Sequence, residues 1–358
     1  MVLYNRKQLV ILELLCKFIS PMQRDRLEGV FDHLQNEDWN LLFEIASQQL
    51  VLPVLYEKIR DGNLVSAVPE DFYNALSGFY DLNLIRNAEI YEQISEVTQA
   101  LNRVNITPIW LKGASHLLKN GWKFSPRMML DIDFWILDSS SHQDAFLALQ
   151  NIGYYTPSQY NDNFDHHHYP PLFKDRAPVR IEFHKYIVEK KFSDLLPDDK
   201  ALEQINWINE NGLLLGELSQ RDKALHALIQ CIDCDPGFWM SCQSSATSMK
   251  FYDFMLLLKQ DTAAIEQLVK FYESKLDTQW SKDLRKFFTF LTKYFGYESP
   301  FPPDTSLLKN LDFNSRHPKI FYAQYMYRTG IASIKNGTIG PVWVWPTKLL
   351  RHLKILIN

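Results

Sequence analysis

The spacing of hydrophobic residues divides the chain into three sections, and the first section is helical. Up to residue 104, apolar residues recur every three or four positions, as at Leu12, Leu15 and Ile19. This spacing places them on one face of a helix, so we predict amphipathic helices throughout the section. The longest periodic run, 71–104, is long enough for one helix or two.

The middle section has the pattern of a small sheet. From Ile106 onward, short runs of β-branched and apolar residues alternate with two helical runs. The order strand, helix, strand, helix, strand predicts a mixed β-sheet that is backed by helices. The predicted strands cover 106–111, 128–137 and 179–188, and the predicted helices cover 114–120 and 141–152.

Helical spacing returns after residue 198 and gives the third section. The predicted helices cover 221–232, 249–259, 262–276, 281–294 and 347–357. We therefore predict an α+β protein in which a small mixed sheet is flanked by helical regions. The predicted divisions are a helical N-terminal region at 1–104, a sheet-containing core at 105–195 and a helical C-terminal domain at 196–358.

Composition indicates a globular protein from a reducing compartment. Hydrophobic residues make up 46% of the 358 positions and glycine occurs only 13 times, which argues against disordered and collagen-like classes. Four cysteines are too few for the disulfide framework of small secreted domains. The apolar run at 9–19 is interrupted by Glu13 and Lys17, so it predicts a helix and not a signal peptide. We expect a cytoplasmic protein without a membrane-spanning helix.

Charge is distributed unevenly along the chain. The formal net charge is -4, but no acidic residue follows Asp312. The basic tail, defined as residues 313–358, therefore carries +7 and the rest of the chain carries -11. This asymmetry predicts an anionic partner for the tail. Three alternatives stay open: the tail docks on the protein body, makes a peripheral contact with a membrane surface, or binds RNA.

Three carboxylates are the strongest candidates for chemistry. Asp131 and Asp133 are two positions apart on a predicted strand, so their side chains point to the same face. Two adjacent carboxylates repel each other, and a divalent cation between them relieves the repulsion. Glu182 joins the pair if its own strand lies beside theirs. Hard oxygen ligands of this kind suit Mg²⁺ or Mn²⁺, although an isolated Asp-x-Asp also fits an exposed strand edge.

A second group of residues is suited to bind phosphate. Gly113 ends a predicted strand and Ser115 lies in the first turn of the following helix, where backbone N–H groups and a hydroxyl can face an anion. Lys112 and Arg127 would supply positive charge for direct phosphate contact. The alternatives are a solvated lysine at a strand end, and an arginine that lies on the surface or pairs with Asp131.

Two histidines are candidates for substrate contact. His184 follows Glu182 by two positions, and it either contacts substrate, pairs with a carboxylate or is a buried structural residue. His168 belongs to a run of three adjacent histidines. Because neighbouring histidines do not all face one zinc ion, we interpret this run as a polar loop near the active cleft.

The motifs between residues 106 and 190 resemble the uncharacterised nucleotidyltransferase family of the DNA polymerase β-like superfamily. The resemblance rests on Leu-Lys-Gly-Ala-Ser at 111–115, Arg-x-x-x-Asp-Ile-Asp at 127–133 and Ile-Glu-Phe-His at 181–184. It implies that the core at 105–195 is the catalytic core and that its phosphate loop contains Gly113 and Ser115. It also implies that the three carboxylates named above are the catalytic residues and the metal ligands.

The same resemblance implies a reaction. A nucleoside monophosphate would move from an NTP to an acceptor hydroxyl, amine or phosphate, with release of pyrophosphate and with Mg²⁺ or Mn²⁺ as cofactor. One alternative is a nucleotide-binding or scaffold protein that keeps this fold without turnover. Another is an RNA-directed nucleotidyltransferase that uses the basic tail.

Overall fold

The computed structural model describes residues 4–22, 29–117, 126–158, 167–233 and 247–316. Within these ranges, twelve α-helices and five strands form an α+β fold with a mixed sheet, which confirms the predicted class. The basic tail beyond Arg316 lies outside the described residues, and so does the predicted helix at 347–357.

The N-terminal section is helical, as its periodicity predicts. Its helices are α1 (Arg6–Ile19), α2 (Asn36–Gln48), α3 (Leu52–Asp61) and α4 (Glu70–Asn102). Helix α4 is one continuous helix of 33 residues, so the first of the two predicted alternatives is correct. Its buried residues include Ile90, Ile94 and Val97, which belong to the same hydrophobic cluster as residues of the sheet.

The central sheet has five strands. They are β1 (Ile109–Leu111), β2 (Asp131–Trp135), β3 (Arg180–His184), β4 (Asn206–Glu210) and β5 (Leu213–Glu217). Their order across the sheet is β3-β2-β1-β5-β4. Strands β2 and β3 are parallel neighbours, whereas β1 runs antiparallel to β2 and parallel to β5. The three predicted strands are confirmed as β1, β2 and β3, each shorter than its hydrophobic run.

Strands β4 and β5 form a hairpin that the hydrophobic pattern does not predict. Their register pairs Glu210 with Leu213, which leaves a two-residue turn of Asn211 and Gly212. Both turn residues have positive φ, 54° and 83°. This is the conformation that an Asn-Gly type I′ turn requires, and it matches the twist of an antiparallel pair. The Asn-Gly dipeptide is therefore the sequence signal for these two strands.

Eight more helices complete the described part of the fold. They are α5 (Lys112–Leu117), α6 (His142–Asn151), α7 (Asp198–Leu202), α8 (Gln220–Asp233), α9 (Thr247–Gln260), α10 (Ala263–Ser274), α11 (Gln279–Phe295) and α12 (Thr305–Arg316). Four of the predicted C-terminal helices correspond to α8, α9, α10 and α11. Among the helices in the described ranges, none is both long and apolar enough to cross a membrane.

The two faces of the sheet contribute to different hydrophobic clusters. Because side chains alternate along a strand, Ile132, Phe134 and Phe183 point to one face, where they pack with α4 and α6. Leu111 and Trp135 point to the other face and join a cluster that contains helices from both ends of the chain. The residues that alternate with the first set, including the three candidate carboxylates, therefore lie on the face that the C-terminal helices cover.

The cluster that contains Ile132, Phe134, Ile181 and Phe183 should contribute strongly to the stability of the fold. Ile181 has no exposed surface, so Ile181→Ala removes buried methyl groups and should lower the free energy of unfolding by about 2–5 kcal/mol. Ile85→Ala is the matched control, since this α4 side chain is 60% exposed and its loss should cost less than about 0.5 kcal/mol. Denaturant unfolding of both variants measures the difference. Equal losses would contradict the assignment of this face to the core.

Candidate functional site

The parallel pairing of β2 and β3 brings the candidate carboxylates together. Asp133 lies directly opposite Glu182, and Asp131 lies opposite Arg180. Since residues two apart on a strand share a face, all four side chains project from the same side of the sheet. The alternation along the sequence predicts that Asp131 and Asp133 share a face. The pairing of β2 with β3 adds Arg180 and Glu182 to the same face.

Asp133 is the buried centre of the site. It is only 2% exposed, and its Oδ1 lies 2.5 Å from Lys112 Nζ and 2.9 Å from His184 Nε2. Burial opposes ionisation of Asp133, yet the Lys112 ammonium and the His184 hydrogen bond outweigh it and hold the pKa of Asp133 below its ordinary value. Asp133 therefore stays a carboxylate inside the protein.

Lys112 reaches Asp133 from the junction between β1 and α5. Its backbone is in the left-handed region, with a φ of 48°, which is uncommon for a residue with a side chain. Its carbonyl oxygen accepts a hydrogen bond of 2.9 Å from the Ser115 hydroxyl. Ser115, a predicted phosphate contact, is thus buried, and its hydroxyl hydrogen bond stays within the turn. The residue also lines a cavity beside the site.

Asp131 and Glu182 share one guanidinium. Arg180 Nη2 donates to Asp131 Oδ2 at 3.2 Å and to Glu182 Oε1 at 2.9 Å. Burial, followed by the charge of Asp133, raises the pKa of Glu182 to about 7. The same two causes raise the pKa of Asp131 above its ordinary value. Asp131 and Glu182 therefore have less compensating positive charge beside them than Asp133 has. They bind a proton more readily than Asp133 does.

Both predicted histidines lie beside the carboxylates. The side chain of His184 is fully buried, with Nδ1 3.3 Å from the carbonyl oxygen of Tyr186. His168 Nδ1 is 2.7 Å from the Tyr169 carbonyl oxygen, and its Nε2 is 3.7 Å from Glu182 Oε2. The predicted pairing of His184 with a carboxylate is therefore present. His168 lies beside Glu182, on a segment that forms a β-bridge with His184.

A divalent cation fits the donor atoms of this site. Within the described residues, one ligand atom each from Asp133, Glu182 and His184 lie within 4.8 Å of one another. Carboxylate and imidazole groups are ordinary metal ligands, and raised carboxylate pKa values are expected where a cation would supply the missing charge. Asp131, which the sequence pattern includes in the metal site, is not one of these three residues, and His184 is the third member instead.

Arg127 is held in place by side chains of α9 and α4. Its Nε donates to Asp253 Oδ2 at 2.9 Å, so the ion pair forms with α9 and not with Asp131. Its carbonyl oxygen accepts a 3.1 Å hydrogen bond from Asn87 of α4. Gly113 makes this position possible, because a Cβ added there would overlap the Arg127 guanidinium and lie 2.7 Å from Met129 Sδ.

Lys112 lines two cavities. The first has a volume of about 220 Å³ and the second about 210 Å³. Ser115, Arg127 and Asp131 line the first cavity, whereas Glu182 and His168 line the second. The wall opposite the sheet comes from α8 and α9. The residues that line both cavities are Lys112, His226, Gln230 and Lys250.

The wall residues of α8 and α9 are not identified by the sequence motifs. Lys223, His226 and Gln230 recur at helical spacing in α8, and this polar stripe is the signal that points to them. Lys223 Nζ lies 2.5 Å from Glu217 Oε2, and both side chains are buried. Burial lowers the pKa of His226 to about 3, so its imidazole is neutral at the cavity wall.

Comparison with known proteins gives a family match and a similar solved structure. Residues 35–277, which form more than half of the chain, match the model of a family described as uncharacterised nucleotidyltransferase. One similar solved structure is that of an antigenic nucleotidyltransferase-like protein from Paracoccidioides brasiliensis, at 16% identity and a TM-score of 0.33, covering 55% of this chain and 92% of that chain. A comparison with curated proteins gives no match. The chain belongs to the uncharacterised nucleotidyltransferase family.

Proposed function

We propose that this protein is a metal-dependent nucleotidyltransferase that transfers a nucleoside monophosphate from an NTP to an acceptor and releases pyrophosphate. The observation that carries the proposal is the common face of Asp131, Asp133 and Glu182, of which Asp131 lines one cavity and Glu182 the other. Family membership supports the reaction class. Most of the rate would come from alignment of the reactants and from neutralisation of phosphate charge.

The carboxylates would hold Mg²⁺ or Mn²⁺. Such an ion, when bound, stabilises negative charge on phosphoryl oxygens and helps to orient the nucleotide. Asp133 is already ionised, and the charge of an incoming cation would favour the ionised forms of Asp131 and Glu182 as well. Arg180 would keep these last two carboxylates oriented, because its guanidinium contacts both of them.

The larger cavity has the chemistry of a triphosphate site. Four cations, Lys112, Arg127, Lys223 and Lys250, line it together with two carboxylates, Asp131 and Asp253, so positive groups are in excess. Guanidinium and ammonium groups bind phosphate oxygens through charge-assisted hydrogen bonds. Gly113 supports this site indirectly, since it leaves room for the Arg127 guanidinium.

The second cavity would take the acceptor. It lies against Glu182 and His168, and its volume of about 210 Å³ suits the reacting end of an acceptor molecule. A carboxylate that stays ionised beside a bound cation is placed to accept a proton from a hydroxyl or amine. Glu182 would therefore act as the general base, with His168 beside it.

Removal of the central carboxylate tests the reaction. Asp133→Asn should abolish transfer of label from nucleotides labelled at the α-phosphorus, because the amide is a poor metal ligand and carries no charge. The assay supplies each NTP, Mg²⁺ or Mn²⁺, and separate small-molecule, RNA and protein fractions as acceptors. Asp144→Asn is the matched control, since this exposed carboxylate lies on α6, beneath the opposite face of the sheet.

The outcome separates the enzyme from its main alternative. Transfer and pyrophosphate release by the wild type and by Asp144→Asn, with loss in Asp133→Asn, would support the proposal. Nucleotide binding by the wild type without transfer to any fraction would support a silent nucleotide-binding protein instead. Activity of Asp133→Asn at the wild-type level would exclude this site as the catalytic centre.

Substitution of Lys112 tests whether the site needs a cation. Lys112→Met leaves buried Asp133 without its ammonium, so the free energy of unfolding in chelator should fall by about 3–5 kcal/mol. Saturating Mn²⁺ should restore most of this loss. Lys17→Met is the control, because the exposed Lys17–Glu13 pair should contribute less than about 1 kcal/mol in either condition. Absence of metal rescue would contradict a metal site at Asp133.

A pair of glycine substitutions tests the assignment of the triphosphate cavity. Gly113→Ala should displace the Arg127 guanidinium and weaken binding of a nucleotide with a non-cleavable α,β linkage by about tenfold or more. Gly78→Ala is the control, since nothing lies within 4 Å of the added methyl group, and it should leave nucleotide affinity unchanged. Calorimetric titration measures both. Unchanged affinity in Gly113→Ala would remove Arg127 from the nucleotide site.

A further inference from the structure

The hydrogen bonds around His184 do not suit a neutral imidazole. Its Nδ1 faces the carbonyl oxygen of Tyr186 at 3.3 Å, and its Nε2 faces Asp133 Oδ1 at 2.9 Å. Both partners accept hydrogen bonds, whereas a neutral imidazole has one N–H and one lone pair. Either tautomer therefore leaves two acceptors in contact inside the protein, where such a contact is costly.

Two states of His184 would satisfy both neighbours. An imidazolium would donate from each nitrogen and would need no third partner, whereas Glu182 also offers an oxygen within 4.8 Å of the His184 and Asp133 ligand atoms. A metal ion on Nε2 is the other solution, because Nδ1–H then donates to Tyr186 and the Nε2 lone pair is used. A backbone carbonyl that receives the second ring N–H is the usual support of a metal-binding histidine.

We propose that His184 Nε2 is a metal ligand together with Asp133 and Glu182, and that this nitrogen makes the site select Mn²⁺ over Mg²⁺. The inference rests on the metal dependence of the proposed function and adds to it a ligand and a metal preference. Mg²⁺ binds almost entirely through oxygen atoms and requires near-ideal octahedral geometry. Later first-row metals accept imidazole nitrogen more readily, so one histidine ligand shifts the preference.

The surroundings of His184 hold its ring in the orientation that binding requires. The residue is paired in register with Trp135 of β2, and both strands are fixed in the sheet. A β-bridge connects it to His168, and the His167 ring centroid lies 4.9 Å from its own. With its side chain fully buried, His184 has little freedom to rotate away. A ligand of this kind is ordered before the metal binds.

Pulsed electron paramagnetic resonance of the Mn²⁺-loaded full chain tests the inference. The wild type should show electron spin echo modulation from a directly bound ¹⁴N nucleus, and labelling of all histidines with ¹⁵N should convert it to the ¹⁵N pattern. His184→Gln should remove the modulation and weaken Mn²⁺ binding by about 10–100-fold. His168→Gln is the matched variant and should keep the nitrogen signal. Competition should show Mn²⁺ binding at least about tenfold tighter than Mg²⁺ in the wild type and in His168→Gln, but not in His184→Gln.

The outcomes distinguish this inference from the proposed function. Bound Mn²⁺ without nitrogen modulation would overturn the role of His184, and nucleotide transfer could still be present in the same sample. Nitrogen modulation in a sample without transfer would support the ligand and count against the enzyme. If His184→Gln fails to fold, the ¹⁵N-labelled wild type and His168→Gln still decide whether a histidine other than His168 binds the metal.

Discussion

A carboxylate that is buried in a sheet needs a positive charge beside it, and this requirement organises the centre of the protein. Asp133 is almost fully buried, and Lys112 supplies the charge from the end of the adjacent antiparallel strand. The contact depends on the register of β1 and β2, which pairs Leu111 with Asp133 and brings the next residue within reach. It also depends on a left-handed backbone at Lys112, which directs the chain into α5. The Lys112–Asp133 ion pair therefore requires a particular strand register, a left-handed turn residue and the start of a helix.

Three parts of the chain that are distant in sequence must meet before the site has two walls. The sheet supplies the carboxylates, α8 and α9 supply the opposing cations, and α4 supports the segment that precedes β2. Arg127 joins two of these parts, because its guanidinium donates to Asp253 of α9 and its carbonyl oxygen accepts from Asn87 of α4. The helical sections therefore do more than flank the core. They place the cationic side chains that lie opposite the carboxylates of the sheet.

Local sequence patterns predict the carboxylate face and the helices, but they do not predict how distant segments meet. Strand alternation places Asp131 and Asp133 on one face, and helical spacing identifies α8 to α11, because both signals arise from neighbours within one element. The hairpin β4–β5 has a local signal as well, in Asn211 and Gly212. The pairing of Arg127 with Asp253 has none, since it joins residues 126 positions apart. The place of His184 in the donor group is likewise set by how β2 and β3 pair, which the sequence of either strand leaves open.

The near-contact between Gly113 and Arg127 has a consequence for how this family can diverge. A side chain at position 113 and a guanidinium at position 127 compete for the same volume. A lineage that replaces the glycine must therefore also replace or redirect the arginine, and with it the partner that Asp253 has on α9. The three positions are therefore coupled through space, although they come from three separate segments of the chain. Substitutions among them should appear jointly in descendants of this sequence.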